Sequence, residues 1–205
     1  MIKVRLAVEP KNFVELVQKP GEKFIATNPE PTQKQWKQNN YWVRIAKDIH
    51  RTYSGVCAYY CQYIPKVTGS KTIEHFKPKS KHPNQAYIWS NYRLVCGMMN
   101  GRKGNNEDVL DPFDIEDDWF IINFNTYMVE PSELVDTQTK SRIDKTIRRL
   151  NLNDDECVEG RMEALERFAD RGDIKYLDFW VPFIAKELRR QELVDVVLSR
   201  FKSYL

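Results

Sequence analysis

The chain alternates between stretches with helical spacing of apolar residues and stretches too short and too punctuated for long elements. Trp42, Ile45, Ala46, Ile49 and Tyr53 fall three or four residues apart, lining one face of a predicted helix that Gly55 would end. Ile143, Ile147 and Leu150 repeat at the same spacing, as do Val158, Met162, Leu165 and Ala169, where Asp154 is a suitable N-cap. Glu187 to Tyr204 reads as a last helix, with Pro182 marking a break or a helix start before it. Two regions read differently. The first forty residues hold a short apolar start, Ile2 to Val8, and then Pro10, Pro20, Pro29 and Pro31, which predict mostly loop. From Val56 to Lys103, Pro65, Gly69, Pro78 and Pro83 divide the chain into short pieces, predicting two strands with loops and a helix opening near Met98 to Asn100. Trp119–Asn123 and Tyr127–Glu130 are apolar pieces either side of a polar turn and predict a hairpin.

Composition adds that this is a folding chain. Of 205 residues 41% are hydrophobic and 30% charged, with five Trp and ten Phe, which excludes a disordered polymer and suits one domain. No run approaches the ~18 apolar residues of a membrane span, and the opening MIKVRLAVEP lacks an apolar signal region, so a cytoplasmic location is expected. The net charge of +3 hides a segregation. Lys66 to Lys103 carries eight basic residues and one acid, Glu74, whereas residues 105 to 136 carry ten acids and no Lys or Arg. By themselves the two blocks read first as two solvated faces.

The chemistry concentrates between Cys57 and Gly104. Glu74 and His75 close a predicted strand, Asn91 precedes the apolar Leu94-Val95, and Asn100 stands three residues before Lys103. This set resembles the HNH, or ββα-metal, endonuclease family. The resemblance implies an α+β fold in which a ββα-metal core sits within a mostly helical single domain with a helical C-terminal extension. The segments would be an N-terminal loop and helix (1–55), the nuclease core (56–106), an acidic linker with a short hairpin (107–136) and a helical C-terminal region (137–205). It further implies His75 as the general base that activates water, Asn91 as the brace that keeps its ring in one orientation, and Glu74 and Asn100 as metal ligands. Phosphodiester hydrolysis needs one base and one cation to neutralise charge on phosphate and leaving oxygen. A carboxylate and an amide oxygen completed by water favour Mg²⁺ or Mn²⁺ over Zn²⁺. Glu and Asn stand at 74 and 100 where the commonest pattern has Asp and His, and both still offer oxygen. Lys77, Lys79, Lys81, Arg93, Arg102 and Lys103 are the expected nucleic-acid contacts. His50 and His82 read as structural, and Trp89 and Tyr92 as core.

Many HNH proteins hold a structural zinc with two CxxC pairs. Here Cys57 and Cys61 are one residue further apart, and Met99 stands where the partner of Cys96 would be. Cys57, Cys61 and Cys96 remain candidate zinc ligands, but a thioether is a poor fourth, so the expectation is that they pack as small apolar residues without an ion. The wording IEHFKPKS, WSNYRLVC and NGRKG, followed by VLDPF and TIRRLNLN, resembles the PtuB branch, the HNH subunits of Septu and retron-type anti-phage defence systems. That implies a companion SMC- or ABC-like ATPase and cleavage of nucleic acid during infection, DNA being the expected substrate ahead of RNA. The competing reading is a catalytically silent nucleic-acid-binding or adaptor subunit of the same complex.

Overall fold

In a computed structural model, residues 1–202 are described, with side chains to residue 200. The chain is α+β and forms two compact units where a single domain was expected. One gathers Arg5–Cys57 and Ile64–Glu107; the other gathers Met1–Val4, Ala58–Tyr63 and the chain from Asp108 on. Among the described residues no helix is long and apolar enough to cross a membrane.

The first unit opens with helix where proline predicted loop. A π-helical turn, Val14–Gln18, runs into α1, Lys19–Thr27, and α2 follows at Gln33–Gln38. Pro20 falls just past the π-helical turn, and the Leu16 carbonyl four residues earlier, which its ring cannot satisfy, accepts from Arg44 Nη1 at 3.0 Å. Thr32 caps α2 reciprocally with Gln35, so Pro31 precedes a helix instead of preventing one. Gly21 permits close packing, since a Cβ there would lie 2.1 Å from Tyr87 Cγ. The helix predicted from Trp42 begins as a 3-10 turn, Tyr41–Ile45, and becomes α3, Ala46–Thr52; Gly55 follows at φ 72. Then comes the hairpin of β1, Lys71–His75, and β2, Tyr92–Cys96, which pair antiparallel from Lys71–Cys96 to His75–Tyr92. The chain turns directly from β2 into α4, Gly97–Lys103. Phe13, Trp89 and Tyr92 meet edge to face behind the strands, and Trp89 donates its indole N–H to the Ala7 carbonyl at 2.7 Å.

The second unit contains the expected hairpin, β3 (Phe120–Asn123) with β4 (Met128–Pro131), and, among the described residues, five helices. α5 spans Thr137–Leu150, capped by Asp136, which accepts from Gln138 and Thr139 N–H; α6 spans Asp155–Arg171, capped by Asp154 as predicted. α7, Lys175–Trp180, was not anticipated. The expected last helix is two, α8 (Pro182–Arg190) and α9 (Val194–Lys202), separated where Glu192 takes φ 57; Tyr204 lies outside the described residues. The acidic segment is built into this unit instead of running free as a linker. Val109, Leu110 and Ile115 are buried, and the Leu110 N–H donates to Thr146 Oγ1 at 2.9 Å.

Candidate active site

Glu74 and His75 end β1, and both are buried. The loop from 76 to 91 is tied shut by Asn91. Its carbonyl accepts from Phe76 N–H at 2.9 Å, its side-chain oxygen accepts from Lys77 N–H at 2.8 Å, and its amide donates to the carbonyls of Lys77 and Gln85. Next to that tie, Ala86 presents its carbonyl to His75 Nε2 at 2.9 Å and to the Tyr92 hydroxyl at 2.7 Å. A carbonyl only accepts, so Nε2 carries the ring proton and Nδ1 keeps the lone pair.

His75 thus stands as a neutral, fixed tautomer between the edges of Trp42 and Tyr92, with ring centroids 4.7 and 5.2 Å away. Burial, then the charges of Lys79 and Lys103, push its pKa from 6.5 down to about 3, against the pull of the Ala86 hydrogen bond. The neutral ring belongs to the folded state, whereas the unfolded chain takes up a proton below 6.5. Stability therefore drains away as pH falls from 6.5 towards 3, by about 2 kcal/mol from this residue between pH 7 and pH 5. Urea denaturation in chelator should show wild type losing that much more over the interval than His75→Gln; equal losses would remove the argument.

A cleft of about 410 Å³ opens beside this ring, bordered by Trp42, Lys71, Thr72, Glu74, His75, Lys79 and Asn100. Asn100 donates its amide to Thr72 Oγ1 at 3.1 Å, which leaves Oδ1 for another partner. Glu74 lies 2.6 Å from Lys103 Nζ, and that ammonium also donates to the carbonyls of His75 and Phe76 at 3.2 and 2.8 Å. Among the described residues no group of three or more His, Cys, Asp and Glu side chains is placed to hold a metal. Two oxygen donors on one cleft fit a hard, largely hydrated ion such as Mg²⁺, and do not fit a site built from protein ligands alone.

The expected cation set divides. Lys77 and Lys81 are exposed, Lys81 lying 3.2 Å from Glu107, which His82 also meets at 2.6 Å. Lys79 is half-buried at the cleft, its Nζ 5.4 Å over the Trp42 ring, and burial lowers its pKa while Glu74 opposes the shift. Arg102 is half-buried. Arg93 and Lys103 are not surface cations. Arg93 is 3% exposed, donating to the carbonyls of Ser90 and Tyr92, and Lys103 is fully buried on Glu74. Helix phase explains the second: Met99 and Lys103, four residues apart, share the inward face of α4.

Trp42 and Lys71 complete the cleft and were not singled out in the sequence. Trp42 matched a core stripe, and nothing in its spacing tells cleft wall from core. Cys57 and Cys96 lie side by side, sulfur to sulfur 3.9 Å, with Met99 buried nearby in sequence. Cys61 belongs to the other unit, where its thiol meets the Tyr59 carbonyl. No protein-family model and no curated protein sequence matches the chain.

Proposed function

We propose that the chain is a metal-dependent endonuclease of HNH type that hydrolyses phosphodiester bonds, DNA ahead of RNA. The observation that carries this reading is the cleft on which the neutral His75, the oxygens of Glu74 and Asn100, and the cations Lys71 and Lys79 converge. Nδ1 of His75 would accept the proton of the attacking water. A phosphate settling against Lys79 would cancel part of the repulsion that holds the ring's pKa down, so substrate itself makes His75 a better base. Lys71 and Lys79 hold the phosphate without reading sequence. Glu74 and Asn100 would hold Mg²⁺ or Mn²⁺, whose charge lowers the cost of negative charge on the phosphate and the departing oxygen.

The same reading includes a role as effector in an anti-phage defence system with an SMC- or ABC-like ATPase. The unit that includes the chain from Asp108 on carries exposed acids, Asp114 and Asp118 among them, suited to docking. Glu116 and Asp117 are engaged within the unit, by Lys3 at 2.8 Å and Lys186 at 3.3 Å respectively. A second reading, the silent adaptor, draws support from one contact: the Lys103 ammonium lies 2.6 Å from Glu74, where the nuclease reading puts a divalent cation.

The deciding experiment incubates protein and ATPase partner with DNA and RNA pools while Mg²⁺, Mn²⁺ and chelator are varied. Cleavage is expected with either ion and should cease in chelator. Binding of nucleic acid with no cleavage under any condition would favour the adaptor.

A further inference from the structure

We propose that Cys57 and Cys96 form a peroxide-oxidisable dithiol, closing to a disulfide that pins the start of α4 to the segment ending the Arg5–Cys57 stretch. The two sulfurs are 3.9 Å apart, and the contact is reciprocal: the Cys57 thiol donates to the Cys96 sulfur, and the Cys96 backbone N–H donates to Cys57 Sγ at 3.4 Å. A disulfide needs ~2.0 Å between sulfurs, a closing motion within the reach of side-chain rotation. The two thiols differ in exposure. Cys57 is 1% exposed, whereas Cys96, the last residue of β2, is only half-buried and can meet a small oxidant.

The Cys96 thiol is also the more acidic kind. The hydrogen bond from Cys57 holds its pKa well below the usual range, and the backbone N–H groups of Met99, Cys96 and Met98 add to this against the effect of burial. By contrast, burial raises the pKa of Cys61, and Cys157 is 3% exposed, so neither competes for oxidant.

Hydrogen peroxide is the oxidant required. The Cys96 thiolate attacks one peroxide oxygen, the O–O bond breaks, and the leaving hydroxide takes a proton to become water, giving a sulfenic acid. The Cys57 sulfur then attacks the Cys96 sulfur, the S–O bond breaks, and the hydroxyl departs as a second water with the Cys57 proton. Two thiols and one peroxide become one disulfide and two waters, with two electrons passing from sulfur to oxygen. The crosslink would act on the helix that carries Asn100 and Lys103. It does not depend on that helix serving a nuclease.

The test treats the full chain with hydrogen peroxide, alkylates the remaining thiols, and maps peptides by mass spectrometry before and after dithiothreitol. Expected are the loss of two of the four thiols, a Cys57–Cys96 crosslinked peptide, and its disappearance on reduction. In Cys57→Ser the sulfenic acid at Cys96 should persist and be trapped by dimedone. Over-oxidation of Cys96 with Cys57 still open to alkylation would overturn the proposal. So would stoichiometric zinc that leaves both thiols unreactive, or an inert Cys96 in the folded variant. If Cys57→Ser fails to fold, crosslink mapping on wild type decides alone.

Discussion

His75→Gln should cut nucleic acid ~10²- to 10⁴-fold more slowly than wild type, the usual cost of removing a general base. Gln is the variant of choice because the wild-type ring is 7% exposed and hydrogen-bonded through Nε2 to Ala86. The ring packs edge-on against Trp42 and Tyr92, so His75→Ala would confuse lost chemistry with a cavity. The Gln amide can still donate to the carbonyl but offers no imidazole lone pair. Nucleic-acid binding should persist, since the lysines are untouched. Single-turnover cleavage and binding, read on the same folded preparation with the proposed ATPase partner present, check this. Cleavage at the wild-type rate would remove His75 from the mechanism and leave the adaptor as the better account.

The second large effect falls on stability. Lys103→Met leaves the Glu74 carboxylate and two backbone carbonyls without their ammonium in a buried place, and breaking such a pair typically costs ~3–5 kcal/mol. Glu74→Gln combined with Lys103→Met should recover much of the loss, because both charges of the pair are then removed together. Urea denaturation of wild type, both single variants and the double variant gives the coupling. A Lys103→Met loss under about 1 kcal/mol would mean that water reaches the pair and that it is not the internal tie described here.

These two residues also show how far the sequence could be read. Glu74 and His75 were legible as a strand end because Gly69 and Pro78 bound a piece too short for a long helix, and Ile73 pairs with Leu94 in the hairpin. Lys103 was misjudged as a surface cation because it was read with Arg102 as a basic string. The helical step from Met99 was present in the sequence and points it inward. The first forty residues show the opposite failure. Proline was taken to forbid helix, although Phe13, Val17 and Phe24, all buried, already repeat at helical spacing. Nothing foretold the break before α9, since Glu192 is not a residue type that announces positive φ. The cleft itself was out of reach, because it depends on Trp42, from α3's approach, meeting a loop that Asn91 folds back.

The β3–β4 hairpin has an unusual property at its central pair, Ile122 with Val129. Ile122 N–H donates to Glu187 and its carbonyl accepts from Gln191, while Asn153 both accepts from Val129 N–H and donates to its carbonyl. Side chains thus occupy the outward backbone groups on both margins of the ribbon, the groups through which a foreign strand would otherwise add. A two-stranded ribbon normally offers two margins for strand addition; here one residue on each, Ile122 and Val129, already has its outward N–H and carbonyl engaged by side chains, which interrupts both templates.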